Sequence, residues 1–119
     1  MTEDTAHPKK IVSVRFYREA NGSEPVRKWF KSLSKKHRQI IGEDIKTIEH
    51  GWPLGMPLVK NIGKGLWEVR SNFPNGIARV IFAMKDGYMV LLHGFIKKSQ
   101  KIPSEELKIA QRRAKNLQD

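Results

Sequence analysis

Leu91-Leu92-His93-Gly94-Phe95-Ile96-Lys97-Lys98-Ser99-Gln100-Lys101-Ile102-Pro103 is an apolar run that delivers one histidine, then empties into three lysines. Arg70 and Arg79 lie in the apolar runs just before it. Arginine presents a planar fork and lysine a point charge, and both suit phosphate oxygens. Strand alternation puts Glu68 and Arg70 on one face with Leu66, and puts Arg79 between Ile77 and Ile81. An arginine among apolar neighbours in a sheet is costly unless it has a partner. By the same parity His93 goes with Leu91 and Phe95. One sheet face is therefore expected to carry Glu68, Arg70, Arg79 and His93, with Lys97, Lys98 and Lys101 at its rim.

RNA cleavage fits this set of side chains. A ribose 2′-hydroxyl attacks the adjacent phosphate, yielding a cyclic phosphate and a free 5′-hydroxyl. Negative charge gathers on the phosphoryl oxygens, where fixed cations stabilise it. His93 or Glu68 is a candidate to move the protons. Structural roles for the same residues are an ion pair for Glu68 with Arg70, an acidic partner for Arg79 and a core position for His93. The lysines alone suit simple phosphate binding. Removing Arg79 is expected to abolish activity and leave the fold intact.

Composition agrees with an anionic partner. Twenty-three Lys and Arg against twelve Asp and Glu give a formal charge of +11 on 119 residues, so nucleic acid or the ribosome is favoured. With no cysteine, disulfides and thiolate–metal sites are excluded. The four histidines are scattered and carboxylates are not clustered, so neither a metal nor a cofactor is expected. No apolar stretch approaches the roughly 18 residues of a membrane helix, and Met1 to Pro8 lacks an apolar signal core. The cytoplasm is the expected compartment, without membrane contact.

These residues need elements to hold them. Residues 1 to 9 read as a flexible tail and Lys10 to Tyr17 as a strand, which Asn21-Gly22 breaks. Ser23 is the expected cap of a helix with Glu24 and Pro25 in its first turn and Val26, Trp29, Phe30 and Leu33 inside. Ser34 opens a second helix with Ile40, Ile41, Ile45 and Ile48 inward, ended by Gly51 as a left-handed C′ residue. Trp52 to Gly65 reads as a loop, with at most a short extended piece at Leu58-Val59-Lys60. Leu66 to Asn72, Ile77 to Met84 and Tyr88 to Ile96 are strands joined by tight turns, one of them centred on Asp86-Gly87. Ser104 is the expected cap of a last helix with Glu105 and Glu106 in its first turn and Leu107, Ala110, Ala114 and Leu117 buried. Trp29, Trp52 and Trp67 read as core or loop anchors. The fold class is α+β, in the order β-α-α-β-β-β-α: an antiparallel-dominated sheet, an N-terminal helical hairpin and a C-terminal helix.

Leu66-Trp67-Glu68-Val69-Arg70, then Arg79-Val80-Ile81-Phe82, then Leu91 to Lys98 with Lys101 and Pro103, taken in this order, resemble the RelE/ParE superfamily of toxin–antitoxin toxins. The resemblance is narrower to its HigB-like, phage-associated branch. It implies a RelE-like toxin domain over residues 10–119. It also implies a ribosome-dependent, metal-free mRNA endonuclease that blocks translation until a cognate antitoxin neutralises it. That antitoxin would be HigA-like, with a helix-turn-helix domain, and operator DNA would be met only through it. Arg79 then falls at the family's phosphate-stabilising arginine and Arg70 at a recurrent arginine ending the preceding strand. Lys98, or Lys97, falls at a cation after the last strand, and Lys60 at a lysine before the first meander strand. Lys101 joins these as an RNA-binding cation. Glu68 departs from the pattern, since the best-known RelE type has lysine there. No tyrosine near Pro103 is present to stack on a base. The ParE branch shares the fold and poisons DNA gyrase. That role, and that of a non-catalytic basic nucleic-acid-binding protein, are the alternative expectations.

Overall fold

Asp86 and Gly87 both adopt positive φ, 54° and 81°, the geometry of a two-residue hairpin turn that matches strand twist. They join two ten-residue strands, β4 (Gly76–Lys85) and β5 (Tyr88–Lys97). These and the other elements come from a computed structural model that describes residues 9–98 and 101–117; all but the last residue of the expected tail over residues 1–9 lies outside the described residues. The remaining elements are β1 (Ser13–Phe16), α1 (Pro25–Ser32), α2 (Lys35–Gly51), β2 (Val59–Gly63), β3 (Leu66–Phe73) and α3 (Ser104–Asn116). The strands form one sheet in the order β1-β5-β4-β3-β2, antiparallel except for the β1–β5 pair. The fold is α+β, as expected.

The element order differs from expectation by one strand. Val59–Gly63 pairs antiparallel with β3, so the chain runs β-α-α-β-β-β-β-α. The glycines that read as loop punctuation close this extra hairpin instead. Gly63, Lys64 and Gly65 all have positive φ, and the register slips between Asn61 and Gly63.

Helix ends follow local chemistry that the sequence discloses only partly. Ser34 caps α2 by accepting a hydrogen bond from the His37 N–H at 3.2 Å, as expected. Ser23 does not cap α1: Glu24 occupies the cap position, and the Ser23 N–H donates to Asn21 Oδ1 at 2.9 Å. The Glu24 carboxylate accepts a hydrogen bond from Arg27 Nε at 2.6 Å. That bond, with Arg18 nearby, holds its pKa below the usual carboxylate value. Gly51 is the last residue of α2 rather than a left-handed stop. The stop comes from Pro53, because the residue before a proline is driven out of the helical region, and Trp52 has ψ 138°. In α3 Pro103 stands at the cap and Ser104 inside, a shift of one residue.

Both sheet faces are covered. Val26, Ile41, Ile45 and Ile48 of the helical hairpin pack on Val69, Val80, Phe82, Met89 and Leu91. Trp52 and Trp67 meet edge to face, 5.2 Å between centroids, and both lie on Phe82, so these tryptophans are core anchors. On the opposite face Ala110 and Leu107 of α3 join Leu66, Ile81, Val90, Leu92 and Phe95.

Gly94 lies where Trp29 of α1 crosses β5. A Cβ there would come within 2.5 Å of the indole ring. Gly94→Ala is expected to destabilise by about 1–3 kcal/mol through overpacking, read as a lowered thermal midpoint. An unchanged midpoint would contradict this packing.

Candidate functional site

Register builds the site. Residues directly opposite on paired strands share a face, so transverse rows can be followed across the sheet. Lys60, Glu68, Ile81 and His93 form one row. Arg70, Arg79 and Phe95 form the next, followed by Asn72, Ile77 and Lys97. Rows lie about 6.6 Å apart, two residues at roughly 3.3 Å each. This is the α3 side of the sheet, and it carries Glu68, Arg70, Arg79, His93 and Lys97 on one face as the alternation implied; Lys60 joins them through the extra strand β2. Lys97 and Lys98 are exposed where β5 ends, and Lys101 is exposed before α3.

The centre of this face is a buried charge cluster. Arg70 and Arg79 are cross-strand partners. Two like charges in that position repel unless an anion stands between them. Glu68 supplies it. Arg79 Nη1 donates to Glu68 Oε2 at 3.1 Å, and Arg70 Nε lies 3.6 Å from Oε1. Glu68 and Arg79 are 0% and 1% exposed, whereas the Arg70 side chain retains 14%. Arg70 therefore reaches the surface, and Arg79 stands behind it.

The family profile described as phage derived protein Gp49-like (DUF891) matches residues 28–115 of the 119. The chain belongs to the Gp49-like family. This is a phage-derived, toxin-like family within the RelE/HigB-like toxin superfamily. No curated protein matches the chain. The Gp49-like match runs from within α1 to within α3, so every residue of the rows above falls inside it, as do Lys98 and Lys101.

In this Gp49-like chain His93 is reached through an irregularity in the sheet. Phe82 pairs with Leu91 but Ile81 with His93, so Leu92 is an extra residue. Leu91 therefore packs beneath the helical hairpin, while Leu92 and Phe95 join the α3 side. The expected shared parity of His93 with Phe95 holds and that with Leu91 does not, because a bulge shifts the period. His93 Nε2 lies 2.6 Å from Glu106 Oε1, and its Nδ1 lies 3.5 Å from Arg113 Nη1. Arg113 also donates to the Leu92 carbonyl at 2.7 Å and sits 3.8 Å from Glu19; burial lowers its pKa from the usual arginine value.

Glu106 and Arg113 are neighbours of His93 that the sequence reading did not place at the site; Glu106 was read only as a first-turn acid of the last helix. The signal was their seven-residue spacing, which stacks them on one helix face beside the buried stripe. Among the described residues no group of three or more His, Cys, Asp or Glu is placed to hold a metal ion. Among them, too, no helix is long and apolar enough to cross a membrane.

Proposed function

We propose that this chain is the toxin of a toxin–antitoxin pair of the HigB-like branch, a ribosome-dependent, metal-independent mRNA endoribonuclease. The observation that carries this reading is the registered pair Arg70–Arg79 around the carboxylate of Glu68, flanked on the same face by Lys60 and Lys97. Two guanidinium groups converge on the Glu68 carboxylate, and the exposed lysines extend a cationic field outward from them. A scissile phosphate suits that field.

Arg70 meets the phosphate, because its side chain reaches the surface. Arg79 and Glu68 fix the position of Arg70 and set the charge behind it. Lys97, Lys98, Lys60 and Lys101 bind the RNA backbone. As the 2′-oxygen attacks, its proton passes to a base, the bond to the 5′-oxygen breaks, and that oxygen takes up a proton. His93 is favoured over Glu68 as the base, since Glu68 is wholly buried against Arg79 whereas the His93 side chain is 15% exposed; with Nε2 on Glu106, the accepting nitrogen is Nδ1, which gives up its 3.5 Å contact with Arg113. Glu106 orients the imidazole, as a carboxylate does in other histidine-based sites.

Membership of a toxin-like family suggests an antitoxin partner. An acidic segment laid over the Lys60–Lys97 face would neutralise it by charge complementarity. We place this antitoxin in the helix-turn-helix class, with operator DNA bound through it.

Induction in growing cells tests this reading. A translation block within minutes, without an SOS response, is the expected result. An SOS response with translation preserved would indicate gyrase poisoning, and harmless overexpression would indicate a basic adaptor; either result would overturn the proposal.

A further inference from the structure

Across the end of the sheet from the cationic rows lies a mostly apolar slot of about 190 Å³, between the start of α2 and the β3–β4 turn. Its walls include Lys36, His37, Phe73, Pro74, Asn75 and Ile96. His37 and Phe73 are stacked, 4.0 Å between centroids and 6° from parallel. This placement is fixed from both sides. The His37 N–H donates to the Ser34 cap, and Ser71 Oγ donates to Asp44 Oδ2 at 2.7 Å, tying β3 to α2. Ile96 in the wall is followed directly by the exposed Lys97 and Lys98. Phe73 follows Arg70 by three residues, about 10 Å along β3.

From this arrangement we infer that the slot seats one nucleobase of a single-stranded RNA whose backbone passes over Lys97 and Lys98. The inference rests on the ribonuclease reading above and adds a base-binding subsite to it. Single-stranded nucleic acid is held by pairing a basic track with aromatic faces, since every base offers a π-face. Here the aromatic pair and the basic track meet at one sheet end. Lys36 brings a further ammonium group to the slot, and Asn75 offers a donor and an acceptor for a base edge. A second copy of this chain is a poor occupant, because two chains of net charge +11 repel.

The test is fluorescence anisotropy with the full chain and a labelled 2′-O-methyl octaribonucleotide, which cannot be cleaved because the attacking hydroxyl is blocked. The same backbone without bases is the control. Phe73→Leu keeps an apolar side chain and removes the aromatic face. It is expected to weaken binding of the intact oligonucleotide roughly five- to hundredfold, with the slope of log affinity against log salt unchanged. The abasic backbone should bind the wild type at least about fivefold more weakly, and Phe73→Leu should weaken it no further. Lys97→Ala should instead lower the salt slope by about 0.7, the increment for one phosphate contact on a single strand. If intact and abasic strands bind alike and only Lys97→Ala weakens them, the base seat is wrong and the ribonuclease reading stands. A wild type that binds neither strand at low salt overturns the base seat, whereas the ribonuclease reading, which requires the ribosome, falls only with the induction experiment above. A thermal melt shows whether Phe73→Leu folds; if it does not, the abasic comparison on the unaltered protein decides.

Discussion

Arg79→Ala is expected to cost about 3–5 kcal/mol of stability, because it removes one partner of a buried ion pair and strands the other. Glu68 is 0% exposed and accepts a hydrogen bond from Arg79. After the change its carboxylate keeps only Arg70 of the pair, 3.6 Å from Oε1. For a domain of this size the thermal midpoint should fall by on the order of 10 °C or more. Replacing both partners with apolar side chains, Glu68→Leu with Arg79→Met, should recover much of that loss, since a well-packed apolar pair substitutes for buried ions. Circular dichroism melts of the three proteins check this. A single variant melting within roughly 2 °C of wild type would contradict the buried-pair account. The result also changes how an inactive Arg79 variant is read. The expectation from sequence, that the fold survives this substitution, does not fit a residue only 1% exposed. Loss of activity would then report folding as much as chemistry.

The second large effect is expected at Arg70. Arg70→Ala should lower the cleavage rate about 10²–10³-fold, the range found when one donor to a developing anion is removed. Stability should change less than in Arg79→Ala, because Glu68 keeps the hydrogen bond from Arg79 and the Arg70 side chain is itself not sealed from solvent. Arg70→Lys should restore little, since a point charge does not reproduce the planar two-pronged contact with phosphate oxygens. The two arginines thus separate in opposite directions, one chiefly by stability and the other by rate. Single-turnover cleavage of ribosome-bound mRNA, beside thermal melts, measures both. Full activity in a folded Arg70→Ala protein would remove Arg70 from the chemistry.

Much of this face was legible because strand alternation is strict. The period of two put Glu68, Arg70 and Arg79 together, and the register of β3 on β4 bears that out. The Asp86-Gly87 turn was equally legible, since only a few residue types accept two successive positive φ angles. The bulge at Leu92 was not. An inserted residue leaves the composition of a strand unchanged while moving every later side chain to the other face. The strand Val59–Gly63 was hidden by Gly63 and Gly65, whose turn-forming role reads the same in a loop as in a hairpin. The burial of Arg79 was invisible for a different reason: accessibility of a sheet face depends on tertiary docking. The contact of His93 with Glu106 and Arg113, likewise, depends on where α3 lands.

If the Arg70-bearing face cuts translated mRNA, primer extension on cellular transcripts after brief induction shows it, with the wild type beside Arg70→Ala. New cuts inside translated frames are expected for the wild type and should vanish in the folded variant. Growth arrest without cuts in the wild type, or unchanged cuts in Arg70→Ala, would contradict it.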